Sequence, residues 1–311
     1  MRPHDALILA AGLGTRLLPL TTVRAKPAIP VGGEALIRRI ARWLAASGVT
    51  GLVVNLHHLP ATLTAALGDG QDLGVRARYS WEQPIVLGSA GGPRQALPII
   101  GARTFFIVNG DTLTDIDLGR LAVAHAASGA LVTMAVVPNR EPSRYGGVVL
   151  DDTARVTGFV GRGPQAEGSF HFVGVQIAEA EAFESLPQGS ALNSVGQVYD
   201  RLIDARPGCI RGCVTDGSFW DVGTIADYMR TSRAFSAEPD GNSGSRSSRI
   251  DPLAKVRGSI LWSGVEVGPN AEVTDCIVTD GVRVPPGAVY RESILVRGAD
   301  GSPLATPLER G

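Results

Sequence analysis

A segment that repeats every 17 residues near the C-terminus constrains the fold of this 311-residue chain most strongly. The segments Gly258–Trp262, Asp275–Thr279 and Glu292–Val296 carry paired aliphatic residues at equivalent positions, and Val265–Ala271 recurs as Val282–Ala288. A period of about 18 residues, with aliphatic residues about every six, is typical of the coils of a parallel β-helix. The constant spacing disfavours the alternative, a set of unrelated β-hairpins.

A polar tract precedes these coils. Residues 236–249 are rich in Ser, Gly and charged residues, a composition typical of linkers. We therefore expect a globular region over residues 1–235, a linker over 236–249, the β-helix over 250–298 and a tail over 299–311. Stacked coils end in open strand edges that need a cover. We expect the β-helix to assist a homo-oligomer, either a dimer or a tetramer.

Short apolar strands alternate with helical segments in the first part of the globular region. Strands are expected at Ala6–Ala10, Gly51–Leu56, Val75–Tyr79, Thr104–Val108 and Ala130–Val137, and helices at Ala35–Ser47, Ala61–Leu67, Ala90–Leu97 and Leu118–Ser128. This alternation predicts an α/β region whose parallel sheet is covered on both faces. Ligands of such sheets bind beyond the carboxyl ends of the strands.

The pattern changes after residue 140, which divides the globular region into a half at 1–140 and a lobe at about 141–220. The expected elements are a hairpin of Gly146–Leu150 and Val156–Val160, a strand at His171–Ile177, and helices at Ser194–Ala205 and Thr224–Ala234. We interpret them as a second lobe of mixed sheet, joined to the first and suited to holding a second substrate.

The composition excludes several classes of function. The formal net charge is −1 at pH 7, so no excess of positive charge favours nucleic acid or an acidic membrane as a partner. No apolar run approaches the roughly 20 residues of a membrane span, and the N-terminal residues lack the pattern of a signal peptide. The three cysteines are too few and too scattered for a disulfide framework or a zinc site. We therefore expect a cytoplasmic protein.

The loop after the first predicted strand combines glycines with two cations. Gly12 and Gly14 let the chain turn sharply, and successive N–H groups in such a turn form a concavity for anions. Arg16 can bridge phosphate oxygens with its fork of donors, and Lys26 adds a point charge. Leu17 stands where a dinucleotide fingerprint needs its third glycine, and no Walker Gly-Lys-Ser/Thr follows. The pattern predicts a site for a nucleoside triphosphate.

The string from Gly12 to Pro27 resembles the signature of the sugar-1-phosphate nucleotidylyltransferases, Gly-x-Gly-Thr-Arg-Leu-x-Pro-Leu-Thr-x4-Lys-Pro, without a gap. The resemblance implies a Rossmann-like α/β domain with a mixed, mainly parallel sheet. Members similar to mannose-1-phosphate guanylyltransferases carry a C-terminal left-handed β-helix, which matches the repeat described above.

Two aspartates are candidates for holding a metal ion. Asp111 follows the apolar run Thr104–Val108, and Asp221 stands between Trp220 and Val222. Mg²⁺ prefers carboxylate oxygens together with substrate phosphates. The alternatives are a turn residue for Asp111 and a helix cap for Asp221, although Thr224 is the more natural cap. The resemblance assigns both aspartates to Mg²⁺, the expected cofactor.

The resemblance also assigns residues to the reaction and to the two substrates. The catalytic residues would be Arg16, Lys26 and Asp111. Nucleotide contacts are implied for Ala10, Ala11, Gly12, Gly14, Thr15, Asn55, Glu82, Gly88, Ser89, Ala90 and Gly110, and sugar-phosphate contacts for Tyr145, Gly146, Arg162, Val173 and Gly174. The family's Phe-x-Glu-Lys-Pro is altered here, because Gly161 replaces the glutamate and Arg162 the lysine. Arg162 still suits a phosphate, whereas the contact that the family's glutamate makes with a hydroxyl of an ordinary glucose or mannose substrate is missing.

The implied reaction joins a nucleoside triphosphate to a sugar-1-phosphate and releases pyrophosphate. We expect GTP and mannose-1-phosphate or a related sugar phosphate, because Leu87–Gly92 is similar to strings in guanylyltransferases; UTP or dTTP is the alternative. A regulatory subunit that senses a nucleotide sugar is the alternative of another class, but such relatives usually lose the cations or carboxylates that are present here. Acyl transfer by the β-helix is disfavoured because no histidine follows His171.

Overall fold

A computed structural model of the protein describes residues 2–236, 243–244 and 247–308. These residues form two compact units. The first unit contains residues 2–12, 40–60 and 67–219, and the second contains residues 13–39, 61–66 and the described residues from 220 onward. No helix among the described residues is long and apolar enough to cross a membrane.

The helices and strands before the repeat follow in this order. The helices are α1 (Leu36–Ala46), α2 (Pro60–Leu67), α3 (Gly88–Ile100), α4 (Leu118–Ser128), α5 (Glu181–Glu184), α6 (Tyr199–Ala205) and α7 (Ile225–Ala234). The strands are β1 (Asp5–Leu9), β2 (Pro30–Val31), β3 (Glu34–Ala35), β4 (Gly51–Leu56), β5 (Arg76–Trp81), β6 (Thr104–Asn109), β7 (Thr112–Thr114), β8 (Val132–Pro138), β9 (Gly147–Leu150), β10 (Val156–Val160), β11 (Phe170–Glu179), β12 (Ile210–Val214) and β13 (Phe219–Asp221).

The first unit is built on a mixed, mainly parallel sheet, so the predicted Rossmann-like α/β core is confirmed. Strand β1 lies between β4 and β6 and is parallel to both, and β5 extends the parallel part beyond β4. Residues Ala6, Leu7 and Ile8 of β1 have no exposed surface. Helix α3 packs on β1 and β4, and α4 packs on β8 and β11. The carboxyl ends of β1, β4 and β6 therefore lie side by side.

The strands of the predicted second lobe are joined to the sheet of the first half. Strand β11 is antiparallel to both β6 and β8, and β12 is parallel to β8. The hairpin of β9 and β10 is confirmed, and it joins the same sheet through β11. The helix expected from Ser194 begins only at Tyr199. Val195 has ψ 139° and Gly196 has φ 82°, and neither conformation fits a helix.

The second unit contains the repeat, whose strands stack in parallel. They are β14 (Ser243–Gly244), β15 (Arg249–Ile250), β16 (Lys255–Arg257), β17 (Ile260–Leu261), β18 (Glu266–Val267), β19 (Glu272–Thr274), β20 (Ile277–Val278), β21 (Arg283–Val284), β22 (Val289–Arg291), β23 (Ser293–Arg297) and β24 (Pro303–Pro307). Ile260 pairs with Ile277, which pairs with Ile294, so each coil advances by the predicted 17 residues. The stacked parallel coils confirm the predicted β-helix, and they are consistent with a left-handed one.

Both ends of the β-helix differ from the sequence expectation. At the start, β14 and β15 pair with β17 and β18, so part of the segment interpreted as a linker belongs to a coil. Residues 237–242 and 245–246 of that segment lie outside the described residues. At the end, β24 of the expected tail runs antiparallel to β23 and covers its edge. Because β24 covers this edge, the argument for oligomerisation from an open strand edge does not apply at β23. The homo-oligomer itself stays a prediction.

Candidate functional site

The loop after β1 is fixed by the neighbouring strands of the sheet. The N–H group of Ala10 donates to Oδ1 of Asn55 over 2.5 Å, and the N–H group of Gly110 donates to the Leu9 carbonyl over 2.9 Å. Asn55 is in β4 and Gly110 follows β6, so both hydrogen bonds tie the end of β1 to an adjacent strand end. Ala11 is buried, whereas Gly12 is exposed. The loop leaves the sheet in a defined direction at Gly12.

A buried carboxylate extends this network below the loop. Asn55 Nδ2 donates to Glu82 Oε1 over 2.7 Å, and the Leu87 N–H group donates to Oε2 over 2.7 Å. Glu82 has no exposed surface, and this burial raises the pKa of its carboxyl group, against the hydrogen bonds from Leu87 and Asn55. A Cβ on Gly92 would lie 2.6 Å from Glu82 Oε1, so only glycine leaves room for the carboxylate.

The start of α3 is bonded to a later segment of the first unit. The N–H groups of Ala90 and Gly91 both donate to the Leu192 carbonyl, at 2.8 and 3.1 Å. Ser89 Oγ accepts from the Ser194 N–H group at 2.8 Å. In this geometry the N–H group of Ala90 and the Ser89 hydroxyl already have partners within the protein. Gly88, with φ 75°, is half-buried at the same turn.

Asp111 lies just beyond the end of β6. Its side chain is half-buried, and Thr112 Oγ1 donates to Asp111 Oδ1 over 3.4 Å. Gly174 of β11 is opposite the same strand end, because a Cβ there would lie 2.8 Å from Asn109 Nδ2. Val173 is 1% exposed, so its side chain packs inside the unit. The site residues predicted at positions 110, 111 and 174 therefore share one end of the sheet.

An aromatic cluster lies next to the predicted sugar-phosphate residues. The ring of His171 is 4.1 Å from the ring of Tyr145 and 4.9 Å from the ring of Phe219, between centroids. The guanidinium of Arg144 lies 4.8 Å from the Tyr145 ring centroid. Burial, and secondly the charge of Arg144, lowers the pKa of His171 to about 4. His171 was not among the predicted site residues, although Val173 and Gly174 of the same strand were.

The two other predicted sugar-phosphate residues lie on the β9–β10 hairpin. A Cβ on Gly146 would lie 2.9 Å from the Val160 carbonyl oxygen and 3.8 Å from the Arg162 nitrogen. Arg162 itself is exposed, and Gly161 before it has open space around it. The hairpin therefore brings Gly146 and Arg162 together and leaves the guanidinium in solvent.

In the second unit, Gly14 packs against Lys26. Gly14 has φ 65°, and a Cβ there would lie 2.7 Å from Thr21 Cγ2 and 3.3 Å from Lys26 Cβ. The Thr21 hydroxyl donates to the Gly14 carbonyl over 3.0 Å. The positive φ and the close approach both demand glycine here. They also place the stem of Lys26 directly beside the glycine loop.

Arg16 and Asp221 face the same small residue. A Cβ on Gly223 would lie 3.4 Å from Arg16 Nη1 and 2.9 Å from Asp221 Oδ2. Asp227 Oδ2 would lie 3.4 Å from the same point. The Thr224 hydroxyl caps α7 by accepting from the Asp227 N–H group, so the predicted cap is confirmed. Asp227 was missed as a neighbour of Asp221, because Thr-x-x-Asp at a helix start indicates only a cap.

The predicted metal residues belong to different units, Asp111 to the first and Asp221 to the second. Among the residues that the structure describes, no three histidine, cysteine, aspartate or glutamate side chains are grouped as a metal site. We call the space beside Gly223, bordered by Arg16, Asp221 and Asp227, the Gly223 cradle. Its geometry fits a metal site to which Asp221 contributes one carboxylate oxygen. Mg²⁺ commonly takes one or two carboxylates and completes its shell with substrate phosphates and water.

Two family models match successive parts of the chain. The family model described as nucleotidyl transferase matches residues 5–238, and the model described as the C-terminal hexapeptide of GlmU-like proteins matches residues 245–293. A mannose-1-phosphate guanylyltransferase of Mycobacterium tuberculosis is 30% identical over 271 residues, which are 85% of this chain and 75% of that protein. An N-acetylmuramate alpha-1-phosphate uridylyltransferase of Neisseria meningitidis is 34% identical over 228 residues, 71% of this chain and 93% of that protein.

A solved structure has the same fold as the greater part of the chain. HddC from Yersinia pseudotuberculosis superposes with a TM-score of 0.65, covering 75% of this chain and 99% of that chain at 23% identity. At this identity the likeness concerns the fold alone.

Proposed function

We propose that this chain, which belongs to the nucleotidyl transferase family, transfers a nucleotidyl group from a nucleoside triphosphate to a sugar-1-phosphate. The observation that carries the proposal is the glycine loop after β1, with Lys26 packed on Gly14 and Arg16 facing Asp221 across Gly223. Cations beside a loop at the carboxyl end of a parallel sheet suit a ligand with several phosphates.

The chemistry requires two anions to approach one another. An oxygen of the sugar phosphate forms a bond to the α-phosphorus, and the bond from that phosphorus to the bridging oxygen of pyrophosphate breaks. Like unit charges 4 Å apart repel by about 1 kcal/mol in water and by more in a partly desolvated site. Arg16 would bind the α-phosphate and pyrophosphate oxygens, and Lys26 the phosphates at the reacting centre. Positioning and charge neutralisation then supply the catalysis.

A divalent ion completes the proposed site, as members of the family generally use one. Asp111 and Asp221 would hold Mg²⁺, which would neutralise charge on the phosphates. Both residues are half-buried, so neither is enclosed in the core.

The sugar phosphate would lie beside the β9–β10 hairpin and β11, which form one part of the sheet. Arg162 is exposed and would bind the phosphate, while Tyr145, Gly146, Val173 and Gly174 would border the sugar. Asn55 and Glu82 are buried in the present geometry, so their proposed role is to hold the loop at Ala10 that contacts the nucleotide.

GTP with mannose-1-phosphate or a related sugar phosphate is the pair we propose. It is supported by the relative from Mycobacterium tuberculosis and by the string Leu87–Gly92. A uridylyltransferase is the second candidate, since the relative from Neisseria meningitidis is of that kind. In either case we propose a catalytic region at 1–235 followed by the β-helix, and a cytoplasmic homo-oligomer.

The test is pyrophosphate release with each of GTP, UTP, dTTP and ATP against a panel of sugar-1-phosphates, with and without Mg²⁺. The proposal expects release that requires both substrates and the ion, and the best pair identifies the reaction. Calorimetric binding of a nucleotide sugar without pyrophosphate release in any combination would instead support the non-catalytic, nucleotide-sugar-sensing alternative.

A further inference from the structure

Arg24, two residues before Lys26, is bound by two consecutive coils of the β-helix. Its Nε and Nη2 atoms each donate to the carboxylate of Asp280 over 2.6 Å, and Nη2 also donates to Ser263 Oγ over 3.1 Å. Ser263 and Asp280 are 17 residues apart and so occupy equivalent positions of two coils. The two side chains of the ion pair are 20% and 29% exposed. A bidentate, partly buried pair of this kind is stronger and more directional than a solvated one.

The coil residue Trp262 forms a second connection, on the other side of Lys26. Its Nε1 donates to the Tyr228 hydroxyl over 2.9 Å, and that hydroxyl donates to the Pro30 carbonyl over 2.7 Å. The Trp262 and Tyr228 side chains have no exposed surface. Burial raises the pKa of Tyr228, so its hydroxyl keeps the proton that it donates to Pro30. The Trp262 ring also lies under the Arg24 guanidinium, 5.4 Å from its centroid.

The chain between these two connections is internally bonded. Arg24 Nη1 donates to the Ala28 carbonyl over 3.3 Å. The N–H group of Ala28 donates to the Ala25 carbonyl, and that of Ile29 to the Lys26 carbonyl, at 2.8 and 3.2 Å. Lys26 therefore begins a short 3₁₀ turn that is held from both sides. We call Arg24, Tyr228, Trp262, Ser263 and Asp280 together the coil clamp.

We infer that the β-helix positions the triphosphate-binding segment around Lys26 through the coil clamp, with Arg24 and Asp280 as positioning residues. This inference rests on the proposed function and adds to it a dependence of the transfer site on the repeat. Displacing a catalytic group by about 1 Å can lower the rate by about a hundredfold. Loss of the clamp should therefore affect the triphosphate and spare the sugar phosphate, whose proposed residues lie in the first unit.

The experiment compares the full-length protein with Asp280→Asn and Tyr228→Phe. Asp275→Asn is the matched control, because it breaks the 2.7 Å ion pair between a coil residue and Arg233, neither of which belongs to the coil clamp or to residues 24–31. Hydrogen exchange of residues 24–31 and steady-state kinetics are measured for each. We expect at least about tenfold faster exchange at Ala28 and Ile29, and a fall of about tenfold in kcat/KM for the triphosphate. The KM for the sugar phosphate should stay within about twofold, and the control should match wild type.

The single variant Arg24→Gln and the double variant of Arg24→Gln with Asp280→Asn test whether the two residues are coupled. Since the two residues act as one pair, the double variant should be no worse than the poorer single variant. Unchanged exchange of residues 24–31 in Asp280→Asn would overturn the clamp, and faster exchange with unchanged kinetics would overturn its link to catalysis. If the wild-type protein releases no pyrophosphate, the proposed function fails, and exchange alone still decides whether the coils hold the segment.

Discussion

Nδ2 of Asn55 donates to Oε1 of Glu82 over 2.7 Å, and both side chains are almost completely buried. This pair connects the loop at Ala10 to the start of α3, since Asn55 also accepts from Ala10 and Glu82 also accepts from Leu87. Burial raises the pKa of Glu82. A raised carboxyl pKa contributes stability at low pH that is lost as the pH rises through the folded-state value. The hydrogen bonds from Leu87 and Asn55 favour the carboxylate and so reduce this loss.

Replacing Gly92 with alanine should break this arrangement. The new methyl group would lie 2.6 Å from Glu82 Oε1 and 2.9 Å from Asn55 Nδ2, so the pair must move. We expect Gly92→Ala to lower the free energy of unfolding by about 1–3 kcal/mol, the usual cost of overpacking. Chemical denaturation measures this change. Gly158→Ala is the matched control, because a Cβ at Gly158 has no atom within 4 Å. Equal stability of the two variants would contradict the account.

The sequence predicted those parts of the fold that depend on local pattern. The 17-residue repeat needs only neighbouring coils, and each apolar run of β1, β4 and β6 is long enough to identify a buried strand. The glycine loop was found because its glycines and cations are close together in sequence. The insertion of β11 between β6 and β8 was not predictable, because long-range strand pairing leaves no signal in the run itself.

The missed residues share this dependence on distant contacts. Gly92 ends the string Leu87–Gly92, yet its need for glycine comes from Glu82, ten residues earlier. His171 lies two residues before the predicted Val173, but its ring contacts Tyr145 and Phe219, which are distant in sequence. Arg24 lies within the signature at a position where the family pattern allows any residue, and its partner Asp280 is 256 positions away.

His171 should make stability dependent on pH. Its pKa is lowered to about 4 from an ordinary value of 6.5, so the folded protein holds it neutral while the unfolded chain takes up a proton. Its contribution is present above pH 6.5 and is lost as the pH falls toward about 4, by at most about 3 kcal/mol. His171→Phe should remove this slope from the free energy of unfolding. His4→Gln, at an exposed position, should keep it. An identical slope in wild type and His171→Phe would refute the prediction.

Arg16 and Asp111 should both be needed for turnover. We expect Arg16→Ala and Asp111→Asn each to lower kcat by about a hundredfold or more, the effect of losing one transition-state contact. Pyrophosphate release under saturating substrates measures kcat directly. Arg206→Ala is the control, because that arginine is exposed and pairs with Glu181 in the first unit. Near-normal turnover in both site variants would remove these residues from the proposed mechanism.

Gly223→Ala should raise the Mg²⁺ concentration that the enzyme needs for activity, if Asp221 binds the ion. The added methyl group would lie 2.9 Å from Asp221 Oδ2 and 3.4 Å from Arg16 Nη1, so the carboxylate must turn away from its present position. If Asp221 contributes an oxygen to Mg²⁺, the ion concentration that gives half-maximal activity should rise by about tenfold, since each 1.4 kcal/mol of lost binding weakens affinity tenfold. Excess Mg²⁺ should restore part of the activity. Gly158→Ala again serves as the control, and thermal unfolding shows whether the variant stays folded. A lower kcat with an unchanged Mg²⁺ requirement would assign the Gly223 cradle to Arg16 and the phosphates and would remove Asp221 from the metal site.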